Sequence, residues 1–197
     1  MEPCIPSELS APLGRFLALL DRWNRTHALT ALPPQERREE LLLDAAALLP
    51  FLAALPPGAR LADLGTGMGS PAVVLALARP DLEVLGVDAS IKKLAFVRQV
   101  AMELPVANLK VVHGRLEDIP SLGADWGTAK ALAPLESLLG WWSRHGRPGS
   151  PFFALKGLDW ETEGIPDGWV ATPHPYTLPT RGRRVVVELR RCGTENR

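Results

Sequence analysis

Cysteine is scarce. Two in 197 residues, Cys4 and Cys192 near opposite ends, exclude a disulfide framework and a cysteine-rich metal cluster. An excess of either charge is absent too, since 22 basic residues face 22 acidic ones. The chain therefore has no global field drawing it to nucleic acid, which leaves only local patches. No apolar run approaches the length needed to span a bilayer. The opening residues, Met1-Glu2-Pro3-Cys4-Ile5-Pro6, lack the basic-then-apolar order of a signal peptide. A cytoplasmic protein without membrane or metal is expected, and there is no internal repeat or low-complexity tract. What is present is 46% apolar content, enough to bury a substantial core in one domain with a short extension.

The organising stretch is Arg60-Leu61-Ala62-Asp63-Leu64-Gly65-Thr66-Gly67-Met68-Gly69-Ser70-Pro71. Residues 61–64 read as a short buried strand, and Gly65, Gly67 and Gly69 then crowd a turn. An apolar helix follows, with Pro71 in its first turn, where a missing N–H costs nothing. Strand, glycine turn and helix N-terminus together let backbone press against a ligand. Asp88 ends the next apolar run, roughly 20 residues beyond the glycines, where an acid can take ribose hydroxyls. A dinucleotide fingerprint needs G-x-G-x-x-G, but here Ser70 stands at the third glycine's place. The spacing is G-x-G-x-G with Asp63 ahead of it. That form resembles the first motif of class I S-adenosylmethionine-dependent methyltransferases, in which the preceding acid can help hold the ligand's ammonium end. The alternative is an ordinary glycine-rich turn.

In chain order, residues 7–23 read as a helix with Leu13, Phe16, Leu17 and Leu20 on one face. Residues 23–30 leave it, and Pro33-Pro34 seals the break. A second helix is expected over 35–55, kinked or divided by Pro50. These helices make an N-terminal helical cap over residues 1–58, and a ligand-binding domain occupies 59–197. Strands are expected at 60–64, 82–87, 109–113, within 125–132, at 152–156 and at 185–189. Helices are expected at 71–79, at 90–104 with Ser90 as N-cap, and at 135–145. Residues 157–179, rich in proline, glycine and tryptophan, resist assignment. The alternation gives an α/β fold, a Rossmann-like, mainly parallel sheet flanked by helices. Ligands then sit at the strands' carboxyl ends, where the glycines, Asp88 and Glu117 fall.

The chemistry is narrowed mostly by exclusion. Asn/Asp-Pro-Pro-Tyr motifs, which serve exocyclic amino groups, are absent. Attack on a pyrimidine carbon needs a cysteine nucleophile, and both cysteines are terminal. The lysine of a phosphate loop and a G-x-S-x-G elbow are missing as well. A methyl acceptor needing little base help remains, such as a ring nitrogen with a free lone pair, where the protein contributes positioning and charge stabilisation.

The glycine motif also resembles that of the ribosomal RNA small subunit methyltransferase G family, also called glucose-inhibited division protein B. Further matches in family order are Trp23-Asn24 with Leu29-Thr30, Leu43-Asp44, Val87-Asp88 with Lys92-Lys93, Gly114-Arg115-Leu116-Glu117, Ala131-Leu132-Ala133-Pro134-Leu135, Leu155-Lys156-Gly157 and Gly182-Arg183-Arg184-Val185-Val186-Val187. They span about residues 16–189. The resemblance implies methylation of a guanine N7 in small-subunit (16S) ribosomal RNA, naked or in the small ribosomal subunit, by a monomer using S-adenosylmethionine. It places cofactor contacts on Gly65, Ser70, Leu116 and Glu117, with Asp88 matching the acid of the second strand. Two departures stand out: Ala129-Lys130 replaces a family Ser-Arg, and Glu40-Leu41-Leu42 replaces an Arg-His pair before Leu43-Asp44. Lys130 keeps charge without arginine's planar fork; it is the candidate catalytic residue and a cofactor-edge contact.

Candidate RNA contacts are Asn24, Lys156 and the cluster Arg181, Arg183 and Arg184. Against them stand a helix-end cap or turn for Asn24, a solvated lysine, and a charged edge strand guarding against aggregation. Trp141 and Trp142 could stack a base, but adjacent helix residues cannot share a face, so at least one packs. His113 and His145 have no metal-ligand spacing partner. Two other functions stay open: a diverged cofactor-binding protein that methylates nothing, and a methyltransferase for another RNA, a protein or a small molecule.

Overall fold

The computed structural model describes residues 1–193. Seven strands form one sheet: β1 (Arg60–Leu64), β2 (Glu83–Asp88), β3 (Leu109–His113), β4 (Trp126–Lys130), β5 (Phe152–Lys156), β6 (Trp169–Leu178) and β7 (Gly182–Arg191). Their order is β3-β2-β1-β4-β5-β7-β6. The first five run parallel, β7 is antiparallel to β5, and β6 pairs with β7 as an antiparallel hairpin.

The expected helices form with shifted ends. A 3-10 turn (Ser7–Leu9) leads into α1 (Ser10–His27), which outruns the expected end at Trp23. The polar run Asn24-Arg25-Thr26 interrupts the apolar period, yet Trp23 packs edge-on against Phe96 at 5.7 Å and keeps the last turn helical. The helix stops where Ala28 turns left-handed (φ 46°) and gives its N–H to the Asn24 carbonyl. The second expected helix is a succession of short pieces: α2 (Pro34–Arg37), a π-helical segment (Arg38–Leu43), α3 (Asp44–Ala46) and a 3-10 turn (Leu49–Leu52) that contains Pro50. Beyond β1 come α4 (Ala72–Ala78), α5 (Ile91–Glu103), whose Ser90 cap accepts the Lys93 N–H, and α6 (Leu135–His145).

The sheet's two faces bury separate clusters. Leu13, Phe16 and Leu48 from the N-terminal segment join Val73, Phe96 and Trp126 on one face. On the other, α6 supplies Leu138 and Trp142 against Ala62, Phe152 and Val187. Strand pleating separates the neighbours Phe152 and Phe153: the first meets Trp142 and the second stacks on Trp126 at 4.6 Å.

Strand β6 is the element that sequence reading missed, because Pro173 and Pro175 argue against a strand. Proline is tolerated on an edge strand when its absent N–H faces outward. Thr177, on the same alternation, donates its N–H outward to the Met1 carbonyl, so both prolines face the sheet's open edge.

Candidate active site

The parallel strands all end on one side of the sheet, and a cleft of about 190 Å³ opens there, lined by Gly65, Asp88, Ala89, Arg115, Leu116, Leu132 and Trp141 among others. Its floor is the glycine turn. Gly65, Gly67 and Gly69 have φ of 72°, 56° and 92°, conformations side chains resist. A Cβ on Gly69 would also lie 2.8 Å from Val73, so close helix packing demands glycine there.

Two carboxylates hold this turn. Asp88 accepts the Gly67 N–H at 2.9 Å on one oxygen and the Ser90 N–H at 2.7 Å on the other, tying the turn to the start of α5. Asp63, fully buried at the end of β1, accepts the Ala72 N–H at 3.1 Å. Its other oxygen is approached by the buried Thr66 hydroxyl and finds no cationic partner among the described residues. Burial lifts the Asp63 carboxyl to about 7 and the Asp88 charge adds to the lift, while the Thr66 hydroxyl, the Ala72 N–H and the Lys130 charge oppose it. A buried acid without a paired cation behind a glycine turn suits a ligand that brings its own positive charge. Ser70 does different work. Its hydroxyl donates to the Leu41 carbonyl at 2.7 Å and pins the π-helical segment to the turn.

The cleft wall at Leu116 and Glu117 is clamped by α6. Trp141 donates its indole N–H to Glu117 at 2.9 Å, and Arg144 donates to the carbonyls of Glu117 and of Ile119. His145, fully buried, meets the Leu116 carbonyl through Nε2 at 2.8 Å. Burial, aided by the Arg144 charge, lowers its pKa, so the ring is neutral with its proton on Nε2. His145 belongs to the site architecture although its spacing signals nothing. Replacing it with leucine is expected to raise the KM for the methyl donor several-fold while kcat at saturation changes less than about twofold. His145→Gln, which can still donate to Leu116, should restore KM. Equal KM values for the two variants would show that this hydrogen bond does not set the wall. Trp142 is packing, 1% exposed, while Trp141 lines the cleft.

Several expected site residues are occupied elsewhere. The Lys130 ammonium is not part of the cleft lining. It bonds the Glu40 carbonyl and pairs with Asp44 at 2.8 Å, and the Glu40 carboxylate is 4.0 Å away. The place at the cofactor edge is therefore corrected to a junction between β4 and the N-terminal segment. The two departures from the family pattern, at Lys130 and at Glu40, meet each other. Lys156 is likewise no free cation: it grips Glu163 at 2.7 Å and the Ala133 carbonyl at 2.9 Å. Arg181 pairs with Glu36 and Glu40, and Arg184 with Glu40 at 3.0 Å, so the expected basic cluster is largely neutralised. Arg183 stays exposed, with no ion pair among the described residues. Both ends of the Asn24 amide clasp the Thr30 backbone, at 3.0 and 2.9 Å, a turn-closing role. Among the described residues no group of His, Cys, Asp and Glu could hold a metal, and no helix is long and apolar enough to cross a membrane.

A parallel sheet carrying an inserted antiparallel seventh strand, with a glycine turn after β1 and an acid ending β2, defines a class I methyltransferase fold. Solved structures share it. Cofactor-bound Rv0187 from MTB superposes with a TM-score of 0.62 at 18% identity, over 92% of this chain and 89% of that one. TrmN from Thermus thermophilus does so with 0.58 at 21% identity, over 83% and 55%. The model of the family described as rRNA small subunit methyltransferase G matches residues 10–166. Ribosomal RNA small subunit methyltransferase G of Xanthomonas euvesicatoria is 38% identical, over 95% of this chain and 89% of its own length. That of Bordetella avium is 36% identical, over 94% and 86%. The chain belongs to the rRNA small subunit methyltransferase G family.

Proposed function

We propose that this protein is an S-adenosylmethionine-dependent methyltransferase that modifies small-subunit ribosomal RNA at a guanine N7, acting as a cytoplasmic monomer. The observation that carries the reading is the fit of the glycine turn to a cationic ligand: an open cleft over Gly65, and behind the turn a buried Asp63 without a paired cation. S-Adenosylmethionine, when bound, supplies an electrophilic methyl group and an ammonium end. In this reading Asp63 and the Gly65–Gly69 turn receive the ammonium end, Asp88 takes ribose hydroxyls on lone pairs its two backbone donors leave free, and the Leu116–Glu117 wall receives the base.

Guanine N7 presents a lone pair with no proton to remove. The residues at the cleft accordingly need to orient and to exclude water, and a strong base is not required. None of Lys130, Lys156, Arg181 and Arg184 is needed at the reacting atoms, which agrees with their engagement in ion pairs.

Labelled S-adenosylmethionine incubated with small-subunit rRNA and assembled subunits tests the reading. Label is expected on one guanine, as N7-methylguanine by mass spectrometry. Asp88→Ala is expected to weaken cofactor binding by about 1–3 kcal/mol in calorimetry, through lost ribose hydrogen bonds and a loosened turn. NAD and ATP should not compete. Cofactor binding with no transfer to any small-subunit RNA would favour a diverged binding protein.

A further inference from the structure

The structure assigns the RNA-docking surface to a basic rim where the last turn of α1 meets the first turn of α5, beside the cleft mouth; this rests on the rRNA reading above. The surface follows from which cations are spent inside the fold. Arg60 and Lys110 share Glu83, Arg147 pairs with Asp125, Lys156 with Glu163, and Arg181 and Arg184 with Glu40. Such pairs present little net field to a polyanion. Arg15, Arg38, Arg98 and Arg183 meet no carboxylate among the described residues, and the same holds for Arg25, Lys92, Lys93 and Arg115.

Arg25, Lys92, Lys93 and Arg115 converge on one place. The Lys92 ammonium donates to the His27 carbonyl at 2.8 Å, which fastens the end of α1 to the start of α5 and leaves the charge uncompensated. Arg25 and His27 occupy the last turn of α1, both exposed. Ala89, just ahead of α5, lines the cleft together with Arg115, and the exposed His113 meets the Ala89 carbonyl at 3.2 Å. Asp21 is paired with Arg37 and Asp88 is held by two backbone N–H groups, while Glu117, which accepts the Trp141 N–H, and Asp118 are the exposed acids beside Arg115.

Sheet order divides the charge along the carboxyl edge. The β2 and β3 ends, on one side of the glycine turn, carry Arg115 and, through α5, Lys92 and Lys93, with Glu117 and Asp118 beside them. At the β4 and β5 ends, on the other side, Lys130 and Lys156 are held in ion pairs, Glu136 opens α6, and Arg183 at the start of β7 is the exposed cation. A phosphate backbone is drawn more strongly to the first side. A nucleotide held on the first side lies next to the cleft, where its base can reach the methyl donor.

The test is the salt dependence of binding to a small-subunit rRNA transcript. The wild-type protein is expected to bind with a log affinity that falls linearly with log salt. Among the described residues Arg25 and Lys93 make no hydrogen bond or ion pair through their side chains, so the double variant Arg25→Gln with Lys93→Gln should unfold at the wild-type temperature. It is expected to flatten the slope by about 1.5 units and to weaken binding at least about tenfold at 0.1 M salt. Arg183→Gln, on the far side of the sheet, should leave the slope unchanged. If wild type binds and the double variant keeps its slope, or if the flattening appears only in Arg183→Gln, the rim is not the docking surface although the rRNA reading stands. If wild type binds no small-subunit RNA, both fail.

Discussion

Replacing Lys130 by alanine is expected to destabilise the protein by about 3–5 kcal/mol, because it strips the counter-charge from a carboxylate that water cannot reach. Asp44 is 1% exposed, and its two oxygens face the Lys130 ammonium at 2.8 Å and the Tyr176 hydroxyl at 2.5 Å. Burial and the facing Asp44 charge push the Tyr176 hydroxyl well above its ordinary range, so it stays a donor and cannot supply positive charge. Among the described residues Lys130 is the cation paired with Asp44, and Glu40 sits nearby as a second acid. For a chain of 197 residues such a loss lowers the melting temperature by roughly 10 °C.

The combination Lys130→Met, Asp44→Leu and Tyr176→Phe removes charge and partners together. It should recover most of the loss, since apolar replacement of a whole buried ionic group is close to neutral. Thermal unfolding by circular dichroism measures both variants. A Lys130→Ala protein that melts with wild type would mean the ammonium does not hold Asp44. Well below the melting temperature, any loss of cofactor affinity in Lys130→Ala should be largest at pH 7 and below, where the missing charge lets the Asp63 carboxyl keep its proton more firmly.

Asp63 carries the second large effect, and its sign is opposite for stability and for binding. With a folded pKa of about 7 against an ordinary value of 3.8, this acid favours folding only while protonated. Its contribution is fully present below the unfolded pKa and is lost as pH rises through 7. The difference between 3.8 and about 7 corresponds to about 4 kcal/mol at most. Asp63→Asn is therefore expected to raise the melting temperature at pH 8 and to leave it nearly unchanged at pH 4.

Cofactor binding needs the ionised carboxylate if Asp63 faces the ligand's ammonium. Affinity should then rise with pH, roughly eightfold between pH 6 and 7.5 for a group titrating at about 7. Below pH 7 a proton should be released on binding, seen as a dependence of the calorimetric enthalpy on buffer. Asp63→Asn should abolish this pH dependence and weaken binding at least tenfold at pH 7.5. A variant more stable but unable to hold its ligand would place Asp63 among groups kept for function at the expense of stability. Retained affinity would move the ammonium site elsewhere in the cleft.

Much of the framework was legible because its signals are local. The alternation of apolar runs, the glycines at spacing two, Ser90 before α5 and the acid closing β2 each specify backbone within a few residues, and the elements they predict form with shifts at their ends. Where local signals conflict with tertiary packing, reading failed. Pro173 and Pro175 hid β6, since edge position depends on sheet order. The polar Asn24-Arg25-Thr26 shortened α1 on paper, although Trp23 against Phe96 keeps it helical.

The sequence by itself determined the alternation of strands and helices from β1 to β5 and the glycine turn with its two acids, for these follow from short-range periodicity and from φ values that glycine accommodates readily. Only the tertiary structure decided what the charges do. Lys130, Lys156, Arg181 and Arg184 look like free cations in one dimension, yet in the fold each meets an acid, 90 residues away for the Lys130–Glu40 contact and 144 for Arg184–Glu40. A charge's partner is set by where the chain returns in space, and no spacing rule along a helix or strand encodes that distance.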